Sequence, residues 1–218
     1  MNVIVTCGPS YEPIDQARRV TNFSTGKLGI FLANTMTDRG WDVVCLKGEG
    51  ATCPDTLRAR RKESFSTNQD LAGRLEQLSG AGRIDAVLHC AALCDFRVAR
   101  VLDEYGVEMV SPKFSTRGGT VSLILAPAPK VLPLLRGWFP SAFVAGWKYE
   151  LAGTREDAFA RAWRQIAECR VDACVLNGAA YGPGFAVCQA GGVVEERAGA
   201  NALAESLVRL IEARGVAP

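Results

Sequence analysis

Histidine is almost missing from this sequence: its 218 residues hold only His89, beside three methionines and eight cysteines. A zinc centre needs several ligands at close spacing. The cysteines stand at 7, 45, 53, 90, 94, 169, 174 and 188, and no C-x-x-C pair forms, so no metal ligands are expected. A run of 18 apolar residues is also lacking, which excludes a spanning helix and predicts no membrane partner. Neither sign of charge dominates, with 25 basic against 23 acidic residues. The densest basic cluster, Arg58, Arg60, Arg61 and Lys62, has no interleaved aromatics and reads as a solvated loop, so no nucleic-acid partner is expected. The glycine-rich dinucleotide turn and the Walker loop are both missing. No tyrosine has a lysine four residues on, which removes a short-chain oxidoreductase. The chain opens Met1-Asn2-Val3-Ile4-Val5-Thr6 as a strand rather than a signal peptide. A cytoplasmic protein with reduced thiols is expected, with Cys45, Cys90 and Cys174 buried in apolar runs as small hydrophobes.

What remains is an ordinary globular composition, 48% apolar and 22% charged. A chain this long buries about 70% of its unfolded surface and needs no disulfide to fold. Short apolar runs alternate with amphipathic stretches. Strands are predicted over 2–6, 43–46, 63–66, 84–90, 121–125, 142–147 and 172–176. Helices are predicted over 26–39, from a Thr67 or Asn68 cap through Leu78, from Pro129 to Trp138, and over 154–168 and 200–213. Residues 92–118 read as the longest irregular segment, with a mobile loop at about 98–118. Residues 186–196, with Gly191-Gly192 between apolar runs, read as a hairpin. The expected fold is α/β: a Rossmann-like open, mostly parallel sheet with helices on both faces and a C-terminal hairpin, in one domain over 1–218.

Ligands of such sheets bind at the carboxyl ends of the strands, so the residues there are the candidates. After the first strand, Gly8 allows close backbone approach, or simply makes a turn. Ser24-Thr25-Gly26-Lys27 then leads into the first helix. It offers hydroxyls and N–H groups at a positive helix end, more than an ordinary N-cap needs, and favours a phosphate. Ala91-Ala92 leaves room for a flat ring. Asp95 suits a metal-bound phosphate or a ring hydroxyl, or merely caps a helix. Lys113, Lys148, Glu150 and Asn177 follow later strands or lie in the long loop.

In order, these segments resemble the phosphopantothenoylcysteine synthetase family, also called phosphopantothenate–cysteine ligase, here in a stand-alone form. The first loop matches at Thr6, Gly8, Glu12, Pro13, Ile14 and Asp15. The next motif matches at Arg18, Asn22, Ser24, Thr25 and Gly26, and the central strand end at Ala91, Ala92, Asp95 and Phe96. Lys113, Trp147-Lys148-Tyr149-Glu150 and Asp172 to Asn177 follow at matching places. The sequence departs from the family pattern at Pro9, Ser10 and Val20, at Lys130 where an acid is usual, at Trp147 for phenylalanine, and in having one lysine in the loop.

The resemblance implies an enzyme of coenzyme A biosynthesis. It would join 4′-phosphopantothenate to L-cysteine through an acyl-nucleotidylate, using CTP or ATP with Mg2+ and releasing pyrophosphate and the nucleoside monophosphate. It assigns Asn22 and Lys113 to catalysis. Gly8, Ser10, Ala91, Ala92, Asp95, Phe96, Pro129, Lys130, Val131, Leu132 and Trp147 would bind the nucleotide. Arg19, Ser24, Thr25, Gly26 and Asn177 would bind phosphate or substrate. It further implies a homodimer, to which the 186–196 hairpin could add, no flavin, and a separate decarboxylase as a possible partner. A relative that binds a nucleotide or phosphopantothenate-like ligand without catalysis is the alternative.

Overall fold

The structure, a computed structural model, describes residues 1–215. The chain runs β1 (Asn2–Cys7), β2 (Tyr11–Pro13), β3 (Arg19–Thr21), α1 (Lys27–Asp38), β4 (Asp42–Gly48), β5 (Arg61–Phe65), α2 (Asn68–Ser79) and β6 (Ala86–His89). Then come β7 (Phe96–Leu102), β8 (Ser122–Pro127), α3 (Leu132–Trp138), β9 (Phe143–Tyr149), α4 (Arg155–Cys169), β10 (Ala173–Gly178), β11 (Gly182–Gln189), β12 (Val194–Arg197) and α5 (Ala200–Gly215).

Eight strands form one sheet in the order β12-β11-β10-β9-β6-β1-β4-β5. The six from β5 to β10 are mutually parallel, and β11 and β12 turn back antiparallel, which is the expected α/β architecture with its hairpin. Alternation along the strands divides the core in two. Val3, Val5, Ala86, Leu88 and Ala145 pack under α1 and α5 with Ile30, Met36, Leu203 and Leu207. Ile4, Val87, Val144 and Leu176 face α2, α3 and α4 with Leu71, Leu75, Leu135 and Ile166. The helices start where the sequence supplies caps. Thr67 accepts from the Asp70 N–H, and Thr154 forms a capping box with Asp157.

Four expectations need correction. Residues 92–118 are not simply irregular: β7 folds back antiparallel on β8 as a two-stranded ribbon outside the main sheet. β8 therefore is not a member of the parallel sheet. The first helical turn of α3 carries Pro133 rather than Pro129, which lies in the loop before it. The loop after β1 also contains a small ribbon, β2 with β3. Cys45 and Cys174 are buried as expected, whereas Cys90 is only half-buried at a strand end. Among the described residues, no helix is long and apolar enough to cross a membrane.

Candidate functional site

The strand order reverses between β1 and β6: the chain runs outward from β1 through β4 and β5, then returns to β1's other side. At this switch point the helices diverge and leave a crevice beyond the carboxyl ends. It holds a cleft of about 1400 Å³. The cleft reaches down both faces of the sheet. Leu28, Phe31, Trp147 and Phe185 line its α1 side, and His89, Leu132, Gln165 and Cys169 its α3–α4 side.

One wall is the start of α1. Gly26 is its N-cap at φ 78°, a left-handed conformation that disfavours any residue with a Cβ; it has no side chain to cap with, and the preceding Thr25 Oγ1 accepts from Lys27 N at 3.3 Å instead. A Cβ there would lie 3.2 Å from Ala51 Cβ and 3.3 Å from the Gly8 nitrogen. Gly8, at φ 79°, is pressed against Ala51 in the same way. The two glycines thus let the helix end close on β1, and with the Lys27 N–H taken by Thr25 it is the Leu28 and Gly29 N–H groups that are left for a ligand in the cleft. Gly26→Ala is expected to cost about 1–2 kcal/mol in a denaturant titration.

The floor is tied by backbone and by one buried hub. Gly8 O accepts from Ala92 N at 2.9 Å, and Ser10 N donates to Ala92 O at 3.1 Å. Asn22 extends this pairing: its Nδ2 donates to Ala92 O at 3.0 Å and Leu93 O at 2.9 Å. Two carbonyl acceptors fix the amide's orientation, so Oδ1 is the atom Asn22 leaves for a ligand. Beneath, Ser10 Oγ donates to Asn68 Oδ1 at 2.7 Å and accepts from Cys94 N at 2.8 Å. Asn68 Nδ2 donates to Cys94 O at 2.8 Å and Pro129 O at 2.9 Å. Asn68 thereby joins the two loops that carry Asp95 and Lys130. It read from sequence as a candidate helix cap; Thr67 caps, and Asn68 is a fully buried link.

The predicted residues fall into two groups. Asn22, Ser24, Thr25, Gly26, Ala91, Ala92, Asp95, Pro129, Lys130, Val131, Leu132, Trp147 and Asn177 all line the cleft. Gly8 and Ser10 lie behind its floor. Arg19 stacks its guanidinium 4.6 Å from the Tyr11 ring centroid, and Phe96 is exposed on β7; neither lines the cleft. Lys113 is also outside. Its neighbours are held by the β2–β3 turn, with Gln16 N donating to Pro112 O and Arg18 Nη2 to Phe114 O. Asp15 accepts from Phe114 N at 3.2 Å. Its carboxyl works against desolvation, yet the N–H groups of Ala17, Phe114 and Arg18 hold its pKa below the usual range.

Lys130 and Asp95, on facing loops, form an ion pair in the cleft. Lys148 and Arg161 both converge on Glu150, at 3.5 and 2.5 Å. Trp147 Nε1 is buried with no partner among the described residues, an N–H donor that a ligand in the cleft can satisfy. Among the described residues no group of three or more His, Cys, Asp or Glu could hold a metal by itself.

His89, at the end of β6, reads from sequence only as a single histidine, too few for a zinc centre. It is 6% exposed and borders the cleft. Burial pushes its pKa down to about 4, so the ring is neutral at pH 7. The depressed value makes the linkage sign definite: the stability is fully present above the unfolded pKa near 6.5 and is lost as pH falls through about 4. A loss of about 2 kcal/mol between pH 7 and pH 5 follows. Denaturant titrations at the two pH values check this, and His89→Phe should flatten the difference.

Comparison with known proteins agrees with this fold. A "Coenzyme A biosynthesis bifunctional protein CoaBC" of Thermococcus kodakarensis is 29% identical over 175 residues, which is 80% of this chain and 40% of the relative. The chain thus spans well under half of that relative's length. A solved structure described as the DNA/pantothenate metabolism flavoprotein from Streptococcus pneumoniae superposes with a TM-score of 0.86 at 20% identity, covering 98% of this chain and 99% of that one. A structure of a Cab2 H337A mutant in complex with phosphopantothenate-cysteine gives 0.73 at 16% identity, covering 98% and 85%. These two establish the shared fold. Residues 1–208 match the family described as the DNA/pantothenate metabolism flavoprotein C-terminal domain, and the chain belongs to that family.

Proposed function

We propose that this chain is a phosphopantothenate–cysteine ligase of coenzyme A biosynthesis. The observation that carries the reading is one cleft holding a helix N-terminus begun by a glycine, a fixed Asn22 acceptor and the Asp95–Lys130 pair, roomy enough for a nucleotide beside an acyl chain. The Thermococcus relative is named for coenzyme A biosynthesis, and the Cab2 structure contains phosphopantothenate-cysteine, which would be the ligation product. In the first step a carboxylate oxygen of 4′-phosphopantothenate attacks the α-phosphorus of the triphosphate, and the bond to pyrophosphate breaks. In the second, the cysteine amine attacks the acyl carbon, loses a proton, and the nucleoside monophosphate leaves. Both steps need charge compensation more than a protein nucleophile.

In this reading the α1 N–H groups with Ser24, Thr25 and Gly26 cradle a phosphate. Asn22 Oδ1 accepts a proton-bearing edge of the attacking amine. Lys130 meets phosphate charge once a ligand draws it from Asp95. Lys113 takes part only if the loop that carries it moves onto the cleft. The base enters the α3–α4 side, against Pro129 to Leu132. Mg2+ would fit here through Asp95, the cleft carboxylate that Lys130 releases when a ligand draws it away; bound there it would neutralise charge on the leaving pyrophosphate. Whether CTP or ATP serves is decided by assay. Pyrophosphate release should require phosphopantothenate, cysteine and magnesium, and should prefer one of the two nucleotides. Folded protein that binds nucleotide but releases none would favour the non-catalytic reading, which the position of Lys113 supports.

Residues 1–218 form one functional unit in this account, working as a homodimer in the cytoplasm, with a decarboxylase as the enzyme that takes up its product. The 186–196 hairpin is a poor dimer edge, since Glu195, Glu196 and Arg197 charge its outer strand. The β7–β8 ribbon is the better surface: Phe96, Val121, Leu123, Ile124 and Leu125 are all exposed on it. Sedimentation should give twice the monomer mass, falling to the monomer in Leu123→Glu/Leu125→Glu.

A further inference from the structure

Among the cleft groups, two polar atoms on the α3–α4 side have no protein role. Thr6 is fully buried, and its Oγ1 accepts from Ala91 N at 3.2 Å. Its hydroxyl proton needs an acceptor, and His89 Nδ1 lies 2.9 Å away. Nδ1 therefore accepts, and the ring proton sits on Nε2, on the far side of the ring from β1. That side faces β9, where the residue paired with His89 is Gly146. Gly146 has no side chain of its own, and the place a Cβ would take is held by other residues, with Gln165 Nε2 at 2.8 Å and Leu132 Cδ2 at 2.9 Å. Gln165 thus reaches from α4 over the same glycine. Its Nε2 donates to Trp147 O at 3.4 Å and to Cys174 Sγ at 3.2 Å, which leaves Oε1 as the uncommitted atom. Neither His89 Nε2 nor Gln165 Oε1 has a partner among the described residues, and both residues line the cleft.

We propose that His89 Nε2–H and Gln165 Oε1 form a donor–acceptor pair that reads the amino edge of the nucleotide base. The inference rests on the ligase reading above, with the base on the α3–α4 side. Cytosine and adenine each present an exocyclic amino donor next to a ring-nitrogen acceptor, the complement of this pair. Uracil and guanine present a carbonyl next to a ring N–H, which sets acceptor against acceptor and donor against donor. The amides of phosphopantothenate carry similar groups, so the test separates the two ligands.

Nucleotide binding is measured calorimetrically with CTP, ATP, UTP and GTP, and phosphopantothenate in separate titrations, for the wild type, His89→Phe and Gln165→Leu. The wild type should bind CTP or ATP at least about tenfold more tightly than UTP and GTP. Each variant, with its fold verified by circular dichroism and its phosphopantothenate affinity unchanged, should lose most of that preference. Folded variants with full discrimination overturn the pair while leaving the ligase standing. Loss confined to phosphopantothenate assigns the pair to the pantothenate amide and overturns it as a base reader. A wild type that turns over but treats CTP and UTP alike overturns it too. A wild type that neither binds nucleotide nor releases pyrophosphate removes the ligase reading along with it.

Discussion

Asn22→Ala should lower ligation by about 100-fold or more while leaving pyrophosphate release in the first turnover largely intact. The split follows from where the amide is tied. Both Nδ2 protons are spent on the Ala92 and Leu93 carbonyls, so only Oδ1 meets the reactants, and an acceptor serves the amine of the second step. The carboxylate of the first step has no proton to offer it. Rapid-quench measurement of pyrophosphate and of the cysteine adduct checks the two steps separately. Asn22→Asp should be no better than alanine, because a carboxylate cannot donate to two carbonyl oxygens and would be repelled by both. Equal loss of both steps would place Asn22 in nucleotide binding instead.

The second large effect lies behind the cleft. Asn68→Ala removes all three hydrogen bonds of a fully buried side chain and strands Cys94 O, Pro129 O and the Ser10 hydroxyl. Stranded buried groups cost their desolvation, here about 3 kcal/mol together. Chemical denaturation should show that loss. Because the loops bearing Asp95 and Lys130 are no longer joined, nucleotide affinity should fall even where the variant is folded. Asn68→Asp is a useful contrast: it keeps the Ser10 bond but cannot donate to the two carbonyls.

These residues also show what a sequence discloses. The parallel strands were readable because burial on both faces writes continuous apolar runs, as in Ala86–Leu88 and Ala173–Leu176. The β7 strand was not. Phe96-Arg97-Val98-Ala99-Arg100-Val101-Leu102 buries only Val101, since its ribbon stands off the sheet, so arginines interrupt any pattern. Strands β2 and β3 are three residues each and leave no period at all. The cleft wall was legible because small polar residues before a helix have a local meaning. The remaining site residues depend on distant pairing. Asn68 has the chemistry of a cap and the position of one, and its link to Pro129 spans 61 residues. His89 depends on distant partners in the same way: Thr6 fixes its tautomer, and Gly146 beside it lets Gln165 reach over β9. Lys113 illustrates the reverse case, a motif match that the β2–β3 turn holds away from the cleft.

The central claim is that the cleft activates a carboxylate by transferring a nucleotidyl group to it. Phosphopantothenate labelled with 18O in both carboxylate oxygens tests this in one turnover mixture. The account predicts that one labelled oxygen leaves with the nucleoside monophosphate when cysteine attacks, and that pyrophosphate is unlabelled. Label in inorganic phosphate would mean activation as an acyl phosphate, and unlabelled monophosphate formed alongside product would contradict the acyl-nucleotidylate outright.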